Sequence, residues 1–527
     1  MNNMSIWCKS IAHSVFKHTR PEITDCNTTV LHIGKNMHTG VQIMLRNSMK
    51  SFAITDIKVN GLPGGIKADI KIQDFISFAD GIPYPDILSD KKTTEVSANV
   101  TQPVVIVFET DTTVKKGTYH LEVIISTSLG ECKANVTVVV HKAVVPEPKD
   151  SDFCHEYMFD PIGYFLYGDE LKETEFERPY YNYQRYSEDW WELMKVFAVN
   201  HKALRSNVLY LGCISILLKD AGSKRISENE WHLDFSLVDR LIDTFMVYGS
   251  VKKIALGTFL PGQTGAIIKS YDYNGDFCYY KIFGEDGDAE RWANFLYTKV
   301  YEHFIEKGIL DLLNVHLLDE PKNTEYWLWA KNILNKCMPG IPTCEPIYLR
   351  EISHALKDDC DIPVPRTDIY DDEPCFYADR IKEGKEFWIY SCCFPEEQWW
   401  LTKFLDAPQR YSRMMSWACF SSGTSGYLHW GFNHWRVDLY STEPAARFKA
   451  DGYIVYPDKE NNNVIMSNRY LATTMGLEEW ELLHVLEKKN PVAAKSIAGS
   501  IASTFKYFNE ETEALENARN MILTLLD

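Results

Sequence analysis

Residues 314 to 323 read NVHLLDEPKN, and they set two carboxylates side by side where an apolar run meets a proline. Carboxylates as close as Asp319 and Glu320 cannot ionise independently, so their repulsion holds one proton to a raised pH. A carboxyl group that still carries its proton near neutrality is suited to general acid catalysis. Ordinary glycosidases hold their two carboxylates about 5 Å or more apart, on opposite sides of the sugar. Adjacent residues at one strand end do not straddle an anomeric carbon in that way. They fit better a reaction in which the substrate supplies its own nucleophile, the carbonyl oxygen of a 2-acetamido group. One acid would then protonate the leaving oxygen, while its neighbour holds the acetamide nitrogen and steadies the oxazolinium charge.

The elements around the pair must explain how neighbours on a strand come to work together. Val315 to Leu318 are apolar apart from His316, which predicts a buried strand, and alternation along a strand would turn Asp319 and Glu320 to opposite faces. Pro321 cannot continue a ladder and restricts the residue before it, so the chain is expected to twist after Asp319 and tilt both carboxylates to one side. The plainer alternative is a loop start, with one acid serving the N-terminus of the next helix. The acids' place at the carboxyl end of a strand favours chemistry, because barrel enzymes carry their sites there. The flanking segments have helical spacing. In AERWANFLYTKVYEHFIEKG (289–308), Trp292, Phe295, Leu296, Val300 and Phe304 share a face and Gly308 is a C-cap. TEYWLWAKNILNKC (324–337) is a second helix with Asn323 as N-cap and Pro339-Gly340 as its end. EFWIYSCC, APQRYSRMMSWACF and GYLHWGFN repeat the strand–helix–strand rhythm. Repeated βα units over this length point to a (β/α)8 barrel or a doubly wound sheet.

Upstream, the period changes. Segments 41–47, 68–78, 104–110, 118–126 and 133–145 alternate with period two between turn signals such as Asn60-Gly61 and Lys116-Gly117. Short strands at that spacing predict an antiparallel β-sandwich. VVPEPKDSD (144–152) reads as a linker. The expected organisation is a sandwich over residues 1–148 and a catalytic barrel with closing helices over 149–527.

At 527 residues, 45% hydrophobic and 24% charged, the chain is a globular protein of more than one domain. A net charge of −18 repels phosphate backbones and anionic lipid, which argues against nucleic-acid or membrane-surface partners. The 14 Trp and 29 Tyr suit either large cores or stacking on sugar faces. The 13 cysteines are scattered and form no C-x-x-C pair, a usage that fits a reduced compartment. The N-terminus shows no uninterrupted apolar signal region, and no apolar run of membrane-spanning length occurs, so a cytoplasmic location is expected.

The sequence resembles glycoside hydrolase family 123, the β-N-acetylgalactosaminidases and their bacterial relatives. HLLDEP is similar to the family's strand with its Asp-Glu pair. FWIYSCCFPEEQWWLTKFLDAPQRYSRMMSWACFSSGTSGYLHWGFNHW (387–435) is similar to its aromatic strand, Arg-bearing helix and Gly-x-Leu-x-Trp-Gly-x-Asn-x-Trp element. DGYIVYP (451–457) and MSNRYLATTMGLEEWELL (466–483) resemble its Tyr-Pro loop and closing helix, and KKGTYHLEVIIS its accessory sandwich. The chain departs from the pattern at Glu478-Glu479-Trp480, where Glu-Asp-Tyr is usual, at Ala450, where glycine often stands, and in the DKENNN that follows the loop. The resemblance implies a sandwich followed by a (β/α)8 barrel, and retaining, substrate-assisted removal of terminal β-linked N-acetylgalactosamine. It implies Glu320 as general acid/base, Asp319 as the residue that orients the acetamide, and neither metal nor organic cofactor.

Four further residues are candidates for sugar contact. Asn433 and Trp435 fall near the end of a late strand, Trp430 lies on it, and Tyr390 sits on the aromatic strand before it. Phe432 reads as packing, His316 as a core or supporting histidine without metal-spaced partners, and Arg413 and Arg469 as structural, pairing with acids such as Asp451. The expected partner is a glycan with a terminal β-N-acetylhexosamine. The rival readings are a glycosidase of other specificity on the same scaffold and a non-catalytic carbohydrate-binding protein.

Overall fold

The computed structural model describes residues 4–77, 81–161, 181, 183–227, 230–260, 268–271, 277–280, 287–396, 399–435, 439 and 449–527, with the backbone alone at 225, 268–271, 277–280, 287–289 and 292. Phe78, Glu397 and Gln398, and the side chain of Trp292, lie outside that description. The chain forms two compact units. The first joins Met1–Glu147 with Glu396–Ser422 and Asp438–Asp527, and the second joins Pro148–Pro395 with Gly423–Val437.

The first unit contains two five-stranded sheets. One runs in the order Met4–Ser10, His38–Asn47, Thr101–Thr110, Ile66–Ser77, Pro83–Ser89, antiparallel throughout. The other runs Thr28–Lys35, Gly130–Val144, Gly117–Thr127, Phe52–Asn60, Thr94–Val96, and is antiparallel except for the first pair, which is parallel. The expected antiparallel sheets are therefore present, with one parallel edge. Their burial differs for a reason visible in composition. Gly117–Thr127 alternates between buried and accessible positions, as a sheet with one wet face does. Thr101–Thr110, with its continuous PVVIVF run, is buried at all but one position. It is covered by a helix, because Leu88, Val105 and Val107 pack on Leu471 and Met475 of Asn468–Lys489.

That helix crosses Arg410–Ser422 at Gly476, where a Cβ would stand 2.3 Å from the Arg413 carbonyl oxygen. The close crossing brings Glu479 to Arg413. Arg413 Nε donates to both carboxylate oxygens of Glu479 at 2.9 Å, its Nη1 donates to Glu516 Oε1 at 2.6 Å, and Trp417 Nε1 donates to Glu479 Oε2 at 2.8 Å. Arg469 pairs with Asp86, with Nη2 to Oδ2 at 2.9 Å, rather than with the expected Asp451. Glu478 receives the His38 N–H at 2.8 Å. The arginines read as structural from sequence are thus bound in buried ion pairs.

Among its described residues, the second unit carries eight short parallel strands interspersed with helices, besides two antiparallel pairs, Lys224–Ser227 with Glu230–His232 and Ile268–Tyr271 with Phe277–Tyr280. Six form one sheet in the order Leu313–Val315, Lys253–Leu256, Val208–Tyr210, Cys154–Tyr157, Gly426–His429, Trp388–Ser391. Cys344–Ile347 and Ile362–Pro365 pair with each other, and single parallel bridges, Val315 to Thr343 and Arg366 to Tyr390, join that pair to the two end strands of the sheet. Cys154, Val208, Tyr210, Ala255, Cys344, Val364, Trp388 and Leu428 form one buried cluster drawn from seven of the eight strands and from both sides of those bridges. Gly426 leaves room for the Trp388 ring, which would lie 2.5 Å from a Cβ there. The helices flanking the acid pair follow their sequence signals. Gly287–Lys307 ends at Gly308 with φ 73°, and Thr324–Cys337 starts with Asn323 accepting the Tyr326 N–H at 2.9 Å. Among the described residues, no helix is long and apolar enough to cross a membrane, and no disulfide joins the described cysteines.

Candidate active site

The strand carrying the acids is regular only from Leu313 to Val315, shorter than the sequence suggested. Its pairing with the neighbouring segment nevertheless continues, since the His316 N–H donates to Leu256 O at 2.9 Å and the Phe259 and Leu260 N–H groups donate to His316 O and Leu317 O at 3.0 Å. The chain then leaves extended geometry at the acids themselves. Asp319 has φ 71° and Glu320 φ 53°, two successive left-handed residues without a glycine. Each costs about 1–2 kcal/mol in backbone strain, and strain of that kind persists only where the surroundings over-determine it. The expected twist is present, but it lies at both acids instead of following Asp319, so strand alternation has ended before it can separate them.

Glu345, on the strand Cys344–Ile347, receives the backbone here. Its carboxylate accepts the N–H groups of Leu317 and Leu318 at 3.1 Å, that of Asp319 at 2.8 Å, and the Trp327 indole N–H at 2.9 Å. The side chain is 0% exposed. Burial pushes Glu345 up, and the Trp327 indole, His316 and the backbone N–H groups oppose that rise. Sequence reading passed over this residue. Its signal was an isolated acid inside the apolar run CEPI.

Asp319 is open to solvent on one side, yet dense protein around it and the Glu320 and Glu345 carboxylates push it up to about 7, with His316 opposing. His316 is 1% exposed with Nε2 3.3 Å from Glu156 Oε2. Burial resists its charge, but Glu156, Glu345 and Asp319 lift it on balance. Glu320 is half-buried, and the Tyr390 hydroxyl donates to its Oε1 at 2.5 Å. Burial and the neighbouring Glu320 charge push that phenol well above its ordinary value.

Of the other candidates, Trp430 is partly buried against the same apolar cluster as Tyr390. Asn433 and Trp435 are set differently. Asn433 is 1% exposed, with Oδ1 accepting the Asp160 N–H and Nδ2 donating to the Asp160 carbonyl, both at 2.9 Å. Trp435 is buried between Tyr181 and Phe197, with ring centroids 5.8 Å from each. The regular strand stops at His429, so the alternation used to orient these residues does not extend to them. Phe432 packs among Phe159, Phe197 and His201. Thus Asp319, Glu320 and Tyr390 form one interacting group, while Asn433 and Trp435 brace the segment after the strand. Among the described residues, no group of three or more His, Cys, Asp or Glu side chains is arranged to hold a metal ion.

Two acids just beyond the carboxyl end of a parallel strand, one of them bonded to a buried tyrosine, are residue types that glycoside hydrolysis uses. The catalytic-domain model of glycoside hydrolase family 123 matches residues 176–486, and the chain belongs to that family. A family 123 glycoside hydrolase from Clostridium perfringens, described in terms of glycolipid glycan hydrolysis, has the same fold with a TM-score of 0.78 at 13% identity, over 99% of this chain and 98% of that one. A β-D-glucuronidase from Dictyoglomus thermophilum superposes with a TM-score of only 0.30 at 11% identity, over 72% of this chain and 62% of that one, too little to bear on the fold. No curated protein matches the chain in sequence.

Proposed function

We propose that the chain is a retaining, substrate-assisted exo-glycosidase that removes terminal β-linked N-acetylgalactosamine, acting from the mouth of a (β/α)8 barrel. The barrel reading rests on the two bridges that link the strand pair to both ends of the six-stranded sheet. The observation that carries the function is the left-handed Asp319-Glu320 pair, with Tyr390 bonded to Glu320. Glu320 gives its proton to the glycosidic oxygen as the acetamide carbonyl oxygen attacks the anomeric carbon and the leaving group departs. Asp319 accepts the acetamide N–H and balances the oxazolinium charge. Glu320, now a carboxylate, removes a proton from the water that opens the ring, and two inversions give net retention.

In the free site it is Asp319 that is pushed up to about 7. An acetamide N–H arriving at Asp319 favours its carboxylate and so passes the shared proton to Glu320. The proton that Asp319 holds in the free site is lost as pH rises through about 7, and kcat/KM falls with it. Trp430 is the aromatic candidate for the sugar face. The description of the Clostridium relative supports a glycan substrate. A glycosidase of other specificity on this scaffold remains the alternative, since fold does not fix substrate.

The test is Glu320→Gln assayed on alkyl and nitrophenyl β-N-acetylgalactosaminides. We expect a loss of roughly 10²–10⁴-fold on the alkyl glycoside, whose leaving group needs a proton, a smaller loss on the nitrophenyl glycoside, and recovery with azide. Full activity in this variant would remove Glu320 from the chemistry.

A further inference from the structure

Two consecutive left-handed residues need something to hold them, and the side chain that does so is not one of the reacting acids. Glu345 is reached by four N–H donors: those of Leu317, Leu318 and Asp319 in succession, and the Trp327 indole. All four point at one fully buried carboxylate, and their donation favours its charged form against the rise that burial brings. The three backbone bonds fix the chain up to the residue where φ turns positive. Trp327, on the helix Thr324–Cys337 that follows the acids, fixes the carboxylate from the other side.

We propose that Glu345 is a positioning residue for the hydrolytic reaction, clamping the backbone of the Asp319-Glu320 turn through its carboxylate and standing as a third negative charge beside the pair. The inference rests on the function proposed above for that pair. Its second consequence concerns the proton. Among the described residues, the charged groups around Asp319 are Glu320 next to it, Glu345 on the strand Cys344–Ile347, and His316 just before it in the chain, backed by Glu156. The neighbouring thiols of Cys344 and Cys360 are pushed up by burial and stay neutral. Two carboxylates thus raise Asp319 and one imidazole lowers it, so removing the Glu345 charge lets the shared proton leave at lower pH.

The experiment compares Glu345→Gln and Glu345→Asp by kcat, KM and the pH profile on an alkyl β-N-acetylgalactosaminide. A misplacement of about 1 Å at reacting atoms costs on the order of 10²-fold in rate. In Glu345→Gln, kcat is expected to fall by that order with KM within about threefold, and the alkaline limb of kcat/KM to move to lower pH. Glu345→Asp keeps the charge but cannot reach all three N–H groups, so kcat falls while the limb stays in place. A wild-type kcat and an unmoved limb in Glu345→Gln overturn the inference. Should that variant not fold, a wild-type kcat in Glu345→Asp overturns it instead. Glu320→Gln in the same assay separates the two levels. If it is inactive while Glu345→Gln behaves as wild type, only the positioning role fails; if it keeps full rate, the function assigned to the pair fails.

Discussion

Two clusters of charge, one in each unit, show opposite uses of the same electrostatics. In the first unit, Arg413 lies between Glu479 and Glu516, and Arg519 Nε stands 3.4 Å from Glu479. Signs alternate, and Glu516, although burial works against its charge, is held down at about 2 by Arg413. In the second unit, Asp319 faces Glu320 and Glu345, with His316 as the opposing charge, and it rises to about 7. Charges that are matched fix helices against one another. Carboxylates gathered together keep a proton at neutral pH, which makes the site reactive at a cost in stability.

The matched cluster depends most on Arg413. Replacing it in Arg413→Met leaves Glu479 buried and Glu516 half-buried without the Arg413 charge, and stability should fall by about 3–5 kcal/mol, read by thermal or denaturant unfolding. The sign with pH is fixed. Glu516 has a depressed folded value, so its contribution is present above the ordinary carboxylate value of 4.5 and lost as pH falls through about 2. The deficit of the variant should therefore be largest above pH 4.5 and shrink towards pH 2. A deficit independent of pH would mean that packing, not charge, is what Arg413 contributes.

A smaller effect of opposite sign is expected at Asp319. Its folded value, about 7, lies above the ordinary 3.8, so the penalty on its charged form is absent below 3.8 and complete above 7. Asp319→Asn removes that penalty and keeps a residue that tolerates left-handed backbone. The variant should be inactive, yet unfold slightly higher than wild type at pH 8, the gain reduced because the Asp319 carboxylate faces solvent, and at the same temperature near pH 3.8. A lower unfolding temperature at pH 8 would show that the pair is not strained by its own charge.

The sequence revealed features that arise locally. The Asn323 cap, the Gly308 end of Gly287–Lys307 and the alternation in Gly117–Thr127 each follow from a few adjacent residues, and the structure carries them. The acid pair was legible for the same reason. What was not legible depends on partners distant in the chain. Glu345 is 26 residues from the Asp319 amide it accepts, and Asp86 is 383 residues from Arg469. The grouping of the closing helices with the N-terminal sheets depends on such contacts as Leu471 and Met475 against Val105 and Val107. Asn433 and Trp435 mark a further limit. Period-two reasoning orients side chains only while a strand lasts, and past His429 the Asn433 amide is engaged by Asp160.

The central claim is that Asp319 and Glu320 act on one sugar whose acetamide is the nucleophile. The most direct measurement is inhibition by the thiazoline derived from N-acetylgalactosamine, a stable mimic of the oxazolinium. Wild type is predicted to bind it competitively and much more tightly than N-acetylgalactosamine, and Asp319→Asn to lose that advantage. An active wild-type enzyme that hydrolyses the glycoside but is not inhibited by the thiazoline would contradict the account.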